Sequence, residues 1–149
     1  MADSKRQQII DAIQTRLETI LLTGGYKTNL GNNIFVWKTD TIQDSELPCI
    51  LWRDKSETIE RITIGADLHS LQIEAEIITS GADAIDKVRE MIADVIQAVG
   101  TDLTWGTIAE DTLPISNEDI QIEQKEKTIA GAKVSFVVQF VTEPFNPYN

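Results

Sequence analysis

Apolar residues near the N-terminus recur at the three- and four-residue spacing of an amphipathic helix. This pattern covers residues 4–22 and leaves polar side chains on the opposite face. Ser4 followed by Gln7 fits a capping box, in which each side chain accepts a hydrogen bond from the other residue's backbone N–H. Gly24 and Gly25 are expected to end the helix, because glycine tolerates a left-handed cap. The apolar stripe consists of Ile9, Ile13, Leu17, Ile20 and Leu21.

A second stretch with helical spacing covers residues 80–100. Ser80 and Asp83 form a cap-like pair at its start, and Gly100 follows its last periodic residue. We therefore predict a second amphipathic helix. Its apolar stripe contains Ile85, Val88, Ile92, Val95, Ile96 and Val99, and its polar face contains Lys87, Arg89, Glu90, Asp94 and Gln97.

Two short apolar runs, residues 34–37 and 50–52, follow the first helix. Both contain β-branched and aromatic residues and are bounded by Gly, Asn or Pro, which is typical of strands. Pro48 disfavours helical geometry at the preceding residue, Leu47. The chain is therefore expected to enter the second run in an extended conformation.

A long β-hairpin is predicted after Asp54. Ile62 and Ile64 alternate with polar residues before a turn at Gly65-Ala66-Asp67. The following strand has the clearest two-residue period in the chain, and this period indicates one buried and one solvated face. Leu71, Ile73, Ala75 and Ile77 take the buried face, and Gln72, Glu74 and Glu76 take a solvated, acidic face.

The last third of the chain has mainly strand-like patterns. Residues 103–109 are predicted as a short strand and residues 130–142 as a long one. Two prolines prevent the tail, residues 143–149, from continuing the sheet, so we expect an exposed arm. Between the two strands, Leu113, Pro114 and Asn117 are predicted as loop, and Ile120 and Ile122 begin a polar strand that runs towards Lys127.

These elements fit one domain over residues 1–149. We predict an α+β fold with a mainly antiparallel sheet. A mixed sheet, with both parallel and antiparallel pairs, is the alternative. The two amphipathic helices are expected to pack on one face of the sheet.

The charge of the chain narrows its possible partners. Its 149 residues carry a formal net charge of −11. Binding of nucleic acid through the phosphates needs clustered Lys and Arg, so this class of function is not favoured. The N-terminus begins an amphipathic helix and lacks the apolar core of a signal peptide, so folding in a cytoplasm is expected.

Candidate catalytic and metal-binding residues are few. His69 is the single histidine and Cys49 the single cysteine. We expect His69 to be solvated or at a sheet edge, and Cys49 to be a small buried hydrophobe. The acidic sets Asp83–Asp86–Glu90 and Glu74–Glu76 are expected to be solvated faces. No metal, cofactor or catalytic residue is predicted. The three tryptophans are expected in the core or at an interface, with a ligand pocket as the alternative.

The stretch from residue 25 to residue 54 resembles a known family. The residues Gly25-Tyr26-Lys27-Thr28-Asn29-Leu30-Gly31 follow the first helix and precede the strand Ile34-Phe35-Val36-Trp37. Glu46-Leu47-Pro48 then leads into the strand 49–52 and Arg53-Asp54. In this combination the chain resembles the tail terminator proteins (also called minor tail or tail completion proteins) of tailed bacteriophages and phage-like particles. The second helix and the long closing strand match the order of elements in that family.

The resemblance implies a structural virion protein and no enzymatic activity. Such proteins form a homo-oligomeric ring, usually a hexamer, on the head-proximal end of the tail tube. The ring ends tube polymerisation and presents a surface to the head connector. The implied partners are further copies of the chain, the major tail tube protein and a head-completion or connector protein. DNA passes through the lumen without specific binding, and no membrane is involved. The implied location is the phage tail, assembled in the bacterial cytoplasm.

Two sets of residues are candidates for these contacts. Large aromatic residues are candidates for oligomer or tail contacts: Trp37, Trp52, Phe145 and Tyr148. Carboxylates of the predicted hairpin are candidates for an acidic lumen or rim: Glu57, Glu60, Glu74 and Glu76.

Two alternatives remain open. One is another phage component of similar build, such as a head–tail connector or a baseplate protein. The other is a small α+β ligand-binding domain or enzyme, which would need a deep pocket with converging polar groups.

Overall fold

The computed structural model describes residues 3–117, 120–124 and 128–149. These residues form an α+β fold with two α-helices and six strands, as predicted. Three short 3-10 turns lie between α1 and β2. The elements in chain order are α1 (Lys5–Leu17), β1 (Ile34–Val36), β2 (Cys49–Thr63), β3 (Ala66–Ser80), α2 (Ala84–Gly100), β4 (Asp111–Asn117), β5 (Gln121–Gln124) and β6 (Thr128–Thr142).

The strands form one mixed sheet in the order β1-β2-β3-β6-β4, with β5 also paired to β6. The β1–β2 pair is parallel, and all the other pairs are antiparallel. The predicted mainly antiparallel sheet is thus confirmed. It is a mixed sheet, because one of its strand pairs is parallel. The central pair, β3 and β6, is aligned along its whole length, from Asp67 opposite Thr142 to Ser80 opposite Ile129.

Both helices pack on the same face of this sheet, as predicted, and we call it the helix face. Leu71, Ile73 and Ile77 of β3 are fully buried on this face against Ile13 of α1 and Val95 of α2, within one continuous core. Each fully buried side chain of this size contributes about 1.5–3 kcal/mol relative to an exposed one. The opposite side of the sheet, which we call the outer face, carries no helix among the described residues.

Helix α1 ends earlier than predicted. The Ser4 hydroxyl caps it by accepting a hydrogen bond from the Gln7 backbone N–H at 3.1 Å, but the Gln7 amide donates to Asp11 instead of returning to Ser4. The helix stops at Leu17, and not at residue 22, because the chain turns to bury Ile20. The Ile20 carbonyl then accepts a hydrogen bond from Gly31 at 2.8 Å. A side chain at Gly31 would lie 2.5 Å from the Glu18 carbonyl, so this crossing requires glycine.

Helix α2 begins later than predicted. Ser80 is the last residue of β3, and the helix follows Asp83, which makes no side-chain cap bond. The predicted stripe is only partly buried, since Ile96 is 50% exposed. The buried positions are shifted around the helix and include small and polar residues: Ala84, Val88, Met91, Asp94, Val95 and Ala98.

The predicted hairpin is confirmed as β2 and β3, joined through Ile64 and Gly65. The predicted short strand 50–52 is, however, the first part of the same β2 strand, which continues to Thr63. An irregularity in the register between Asp54 and Glu57 lets the strand continue while its alternation shifts. Leu47 has the extended geometry expected before a proline, with φ −91° and ψ 145°.

Two predictions in the last third are wrong. Residues 103–109 form turns and not a strand, and Trp105, Gly106 and Thr107 all have positive φ. Residues 113, 114 and 117 belong to strand β4 and not to a loop. A proline is tolerated there because β4 is an edge strand with a register shift after Pro114. The long strand β6 is confirmed, as is a strand beginning near Ile122; Lys127 lies outside the described residues.

The C-terminal residues are largely exposed, as predicted, but they form a turn held against the body of the protein. The Lys5 backbone N–H donates to the Pro147 carbonyl at 2.9 Å, which ties this turn to the start of α1. Asn146 donates to the Glu143 carbonyl at 3.1 Å within the turn. The side chains of Phe145 and Tyr148 are 99% and 43% exposed. We call residues 143–149 the C-terminal turn.

Candidate interaction surfaces

The tryptophans occupy different environments. Trp37 is 57% exposed and has a positive φ of 52°. Its backbone N–H donates to the Trp52 carbonyl at 3.0 Å, and its indole N–H donates to Asp54 at 2.7 Å. Trp37 is therefore a fixed, accessible aromatic surface. Arg6 of α1 donates to the other oxygen of the same carboxylate at 2.7 Å.

Trp52 is a core residue, so its prediction as an oligomer or tail contact is wrong. Its side chain is 1% exposed, and its indole N–H donates to Gln14 of α1 at 2.8 Å. The inward direction follows from the strand pairing, since Trp52 lies opposite the buried Ala75. Trp105 is also buried, stacked on Phe136.

The four carboxylates predicted as one acidic surface do not share a face. Glu57 lies on the helix face, where it accepts one hydrogen bond from Arg6 at 3.2 Å and contacts His69 at 3.0 Å. The register irregularity after Asp54 produces this placement, because it reverses the alternation along β2. Glu60 is exposed opposite Leu68.

Glu74 is buried on the outer face, contrary to the predicted solvated face. It is 6% exposed and paired with three basic side chains: Arg53 at 2.9 Å, Lys55 at 3.0 Å and Lys133 at 3.9 Å. Burial is the largest single influence on its pKa and raises it. The hydrogen bond from Lys55 and the charges of Lys133, Lys55 and Arg53 outweigh that effect and lower the pKa. The charge of Glu74 is therefore neutralised by its basic partners. Glu76, another of the four predicted carboxylates, lies on the same part of the outer face and is partly exposed.

His69 is a partly buried residue of the central strand β3, so the expected solvated or edge position is wrong. Its ring stacks on Phe140 with centroids 4.6 Å apart. One ring nitrogen contacts Glu57 and the other contacts the Thr142 hydroxyl at 2.8 Å. These contacts join β2, β3 and β6 at the hairpin end of the helix face.

Cys49 is fully buried, as predicted. Burial raises the pKa of its thiol to about 11, and the nearby Glu46 and Glu76 charges add to that effect. A thiol in this environment is largely protonated at neutral pH and is a poor nucleophile.

Asp94 was predicted on the solvated face of α2 but is 2% exposed. Its carboxylate accepts hydrogen bonds from the backbone N–H groups of Lys27 and Thr28 at 3.1 and 2.9 Å, and from the Thr28 hydroxyl at 2.7 Å. It thereby fixes part of the 25–54 stretch against α2. No local pattern in the sequence indicates these partners, which lie more than sixty residues earlier.

The turn after α2 is organised by Asp102 and Arg16. Asp102 accepts hydrogen bonds from the Gly106 N–H and from both the hydroxyl and N–H of Thr104, and these bonds lower its pKa to about 2. Arg16 donates to the carbonyls of Val99 and Asp102 at 3.1 and 2.7 Å and lies 4.0 Å above the Trp105 ring. The C-terminus of α2 is capped in this way by a cation.

An open groove with a volume of about 520 Å³ lies at the hairpin end of the helix face. We call it the tip groove. Ile59, Phe145 and Pro147 are exposed apolar residues in its lining, and Arg61 in the same lining is paired with Asp67. Beside it, Ile62 and Ile64 are 47% and 102% exposed.

A second groove, of about 340 Å³, lies between the end of α2 and strand β4. We call it the edge groove. Ile96, Leu103 and Ile115 line it and are 50%, 42% and 48% exposed. None of its described lining residues is ionisable, which is unusual in a chain with 25% charged residues.

Within the described ranges, no group of three or more His, Cys, Asp or Glu side chains is arranged to hold a metal ion. Asp83 and Asp86 are instead paired with Lys87 at 3.4 Å and Arg89 at 3.1 Å. In the same part of the chain, no helix is long and apolar enough to cross a membrane.

In comparisons with known proteins, no family model matches the chain and no curated protein matches it.

Proposed function

We propose that this chain is a tail terminator: a structural protein whose copies form a ring on the head-proximal end of a phage tail tube. The ring ends tube polymerisation and forms the surface that joins the head connector. The resemblance of residues 25–54 to this family gives the proposal its direction. Surfaces suited to self-association support it.

The observation that carries the proposal is a sheet whose two edge strands have no outer partner strand along much of their length among the described residues. Strand β1 pairs only with Ile50–Trp52, so β2 has no partner strand on that edge from Arg53 to Thr63 among the described residues. Strand β4 ends the sheet on the other side. Unpaired edges with exposed apolar residues promote association with another chain unless they are covered. Two different edges on one molecule suit a head-to-tail contact that closes into a ring.

The distribution of charge supports a passive relation to DNA. A net charge of −11 per copy repels a polyanion in the lumen instead of binding it. The pairing of Glu74 and Glu57 with basic side chains removes them from the predicted acidic rim. Glu60 and Glu76 stay as candidates for a surface that faces the lumen or the tube.

Deletion of the gene from its phage or phage-like particle tests the function. Electron microscopy of the resulting lysate is expected to show overlong tails without heads, because nothing stops tube growth or joins the connector. Complementation with the intact chain should restore tails of uniform length. Tails of normal length in the deletion would contradict the proposal. Normal tails joined to no head would favour a connector instead, and missing tails would favour a baseplate component.

A further inference from the structure

We propose that copies of this chain contact one another head to tail, with Phe145 of one copy inserted into the edge groove of the next. This inference rests on the proposed function, because it names the surfaces that close the ring. Phe145 acts as the projecting apolar residue and the edge groove as its acceptor.

The side chain of Phe145 projects from the surface of the protein. Its side chain is 99% exposed although the turn that carries it is fixed to the body of the protein. The Lys5–Pro147 hydrogen bond and the Asn146–Glu143 hydrogen bond hold that turn. Phe145 itself has a φ of 55°, an uncommon conformation for a bulky residue. Because the backbone of the turn is already held, burial of Phe145 by a partner costs only the rotamer freedom of its side chain.

The edge groove has the matching chemistry. It is concave, and its lining consists of apolar side chains with a few neutral polar ones: Ile96, Val99, Gly100, Leu103, Thr112, Pro114, Ile115, Val134, Ser135 and Phe136. The residues that flank Phe145 are Pro144 and Asn146, which are also neutral. A contact between the phenyl ring and the groove lining therefore buries apolar area, and the charges that share the tip groove with Phe145, Arg61 and Asp67, are already paired with each other. In so acidic a chain, a neutral contact also avoids repulsion between copies.

Phe145 cannot reach the edge groove of its own copy. Thr142 borders the tip groove beside Phe145, whereas Val134 borders the edge groove on the same strand, β6. At about 3.3 Å per residue these two positions are roughly 26 Å apart. Because the projecting residue and its acceptor are different surfaces of one chain, each copy can use both. Repeated in one direction, this heterologous contact produces a closed ring or an open filament. Made reciprocally by only two copies, it would give a two-fold dimer instead.

Cross-linking between cysteine variants tests the contact. Gly100→Cys adds a thiol to the edge groove, where a Cβ at this position meets nothing within 4 Å. Pro144→Cys adds a thiol beside Phe145 and keeps the phenyl ring. With a short bismaleimide linker, we expect a mixture of the two single variants to give cross-linked dimers, and the double variant to give a ladder that ends at the ring size. The native Cys49 is buried and should not compete.

The controls separate this inference from the proposed function. Leu22 is 56% exposed and lies outside both surfaces, so a Leu22→Cys and Gly100→Cys mixture should give no product. Cross-linking of Pro144→Cys to itself, or a double variant that gives dimers and no larger product, would indicate a two-fold contact and overturn the inference. If light scattering shows oligomers of the unmodified chain but the mixture does not cross-link, the inference fails and the proposed function stands. A chain that stays monomeric in solution and on tail tubes would overturn both.

Substitution of Phe145 gives an independent readout. Loss of a fully buried phenyl ring should weaken the contact roughly 10- to 100-fold, so Phe145→Ala should dissociate at correspondingly higher concentration. The matched variant Leu22→Ala should assemble like the unmodified chain. Equal assembly of Phe145→Ala and Leu22→Ala would overturn the inference. Circular dichroism of both variants verifies that each is folded.

Discussion

Asp94 joins α2 to the loop that follows α1. Its buried carboxylate accepts three hydrogen bonds from Lys27 and Thr28, two of them from backbone N–H groups that would otherwise lack a helix or strand partner. Hydrogen bonds to a charged acceptor contribute about 1.5–3 kcal/mol each. The stretch from residue 25 to residue 54 is therefore anchored by a residue outside it.

We expect Asp94→Asn to lower the free energy of unfolding by about 2 kcal/mol. Both oxygens of Asp94 accept hydrogen bonds, whereas the NH2 group of Asn would replace one of them and face another hydrogen-bond donor. Urea unfolding followed by circular dichroism measures the change. The matched control is Glu90→Gln, an exposed carboxylate on the same helix, for which we expect less than about 0.5 kcal/mol. Equal effects of the two substitutions would show that the Asp94 contacts do not stabilise the fold.

The reactivity of the Cys49 thiol tests whether this side chain is buried. Its raised pKa, about 11, and its zero exposure predict slow reaction with a thiol reagent at pH 8. Labelling should become fast in denaturing urea, where the thiol is exposed and has its ordinary pKa. The ratio of the two rates is the measurement. Fast labelling of the native protein would contradict the buried position of Cys49 in β2.

At the residue scale, sequence patterns predicted the interior better than the polar contacts. The apolar character of Cys49 and the alternation through Ile73 and Ile77 follow from local spacing. The burial of Asp94, Glu74 and Trp52 depends on partners that are distant in the sequence. Their charge or polar group suggested solvent or an interface, and only the tertiary contacts explain why these groups are tolerated inside.

The outer face of the sheet is organised at the level of strands. Arg53 and Lys55 of β2 and Lys133 of β6 all converge on Glu74 of the strand between them. One carboxylate thus links three adjacent strands across the outer face. Because the pKa of Glu74 is lowered on folding, its contribution to stability is present above the ordinary glutamate pKa. That contribution is lost as the pH falls through the lowered value.

We expect Glu74→Gln to destabilise the protein by about 1–2 kcal/mol at pH 7, because three cations lose their shared partner. The difference from the unmodified chain should shrink as the pH falls through the lowered pKa of Glu74, because a protonated Glu74 resembles Gln. Urea midpoints measured between pH 3 and pH 7 test this window. Glu76→Gln, two residues along the same face, is the control and should have little effect. A difference that stays constant over the whole pH range would contradict the role of the Glu74 charge.

Helices and strands whose apolar residues recur at a regular spacing could be predicted from the sequence. Segments with an irregular backbone could not. Strands β3 and β6 lie at the centre of the sheet with one dry face, so their two-residue period is strong. Strand β4 contains Pro114 and a register shift, which gave it the pattern of a loop. The stretch 103–109 has strand-like composition, but the bonds of Asp102 to Thr104 and Gly106 hold it in turns. The early end of α1 depends on Gly31, which lies in a different segment.

On the scale of the whole molecule, charge opposes association while apolar surfaces promote it. Each copy carries a net charge of −11, and the two grooves with their exposed apolar residues lie far apart on its surface. Repulsion between such copies acts over the Debye length, about 10 Å at 0.1 M salt, and weakens as salt is added. Apolar contacts are not weakened in this way.

We therefore expect self-association to strengthen with ionic strength. Light scattering after size-exclusion chromatography at low and high sodium chloride concentration measures the mass at a fixed protein concentration. The average mass should rise towards that of the closed ring at high salt. A fall in mass with added salt would indicate contacts built on ion pairs, contrary to the neutral contact between Phe145 and the edge groove.

The fold could be predicted from the sequence to the level of an α+β domain with two helices on one sheet face. Its candidate surfaces could be predicted only in part. Phe145, Tyr148 and Trp37 are exposed as an interface would require, whereas Trp52 is in the core. The edge groove was not predicted, because α2, the turn after it and β4 form it jointly, and two of those three elements were assigned wrongly.

We propose that this chain stops the growth of a tail tube. The most direct measurement is the length distribution of tubes polymerised from the cognate tail tube protein, with and without the purified chain, by electron microscopy. A terminator predicts shorter tubes whose length falls as the chain is added, with a ring at one end of each tube. Tubes of unchanged length, with no ring at either end at any ratio of the two proteins, would contradict the claim.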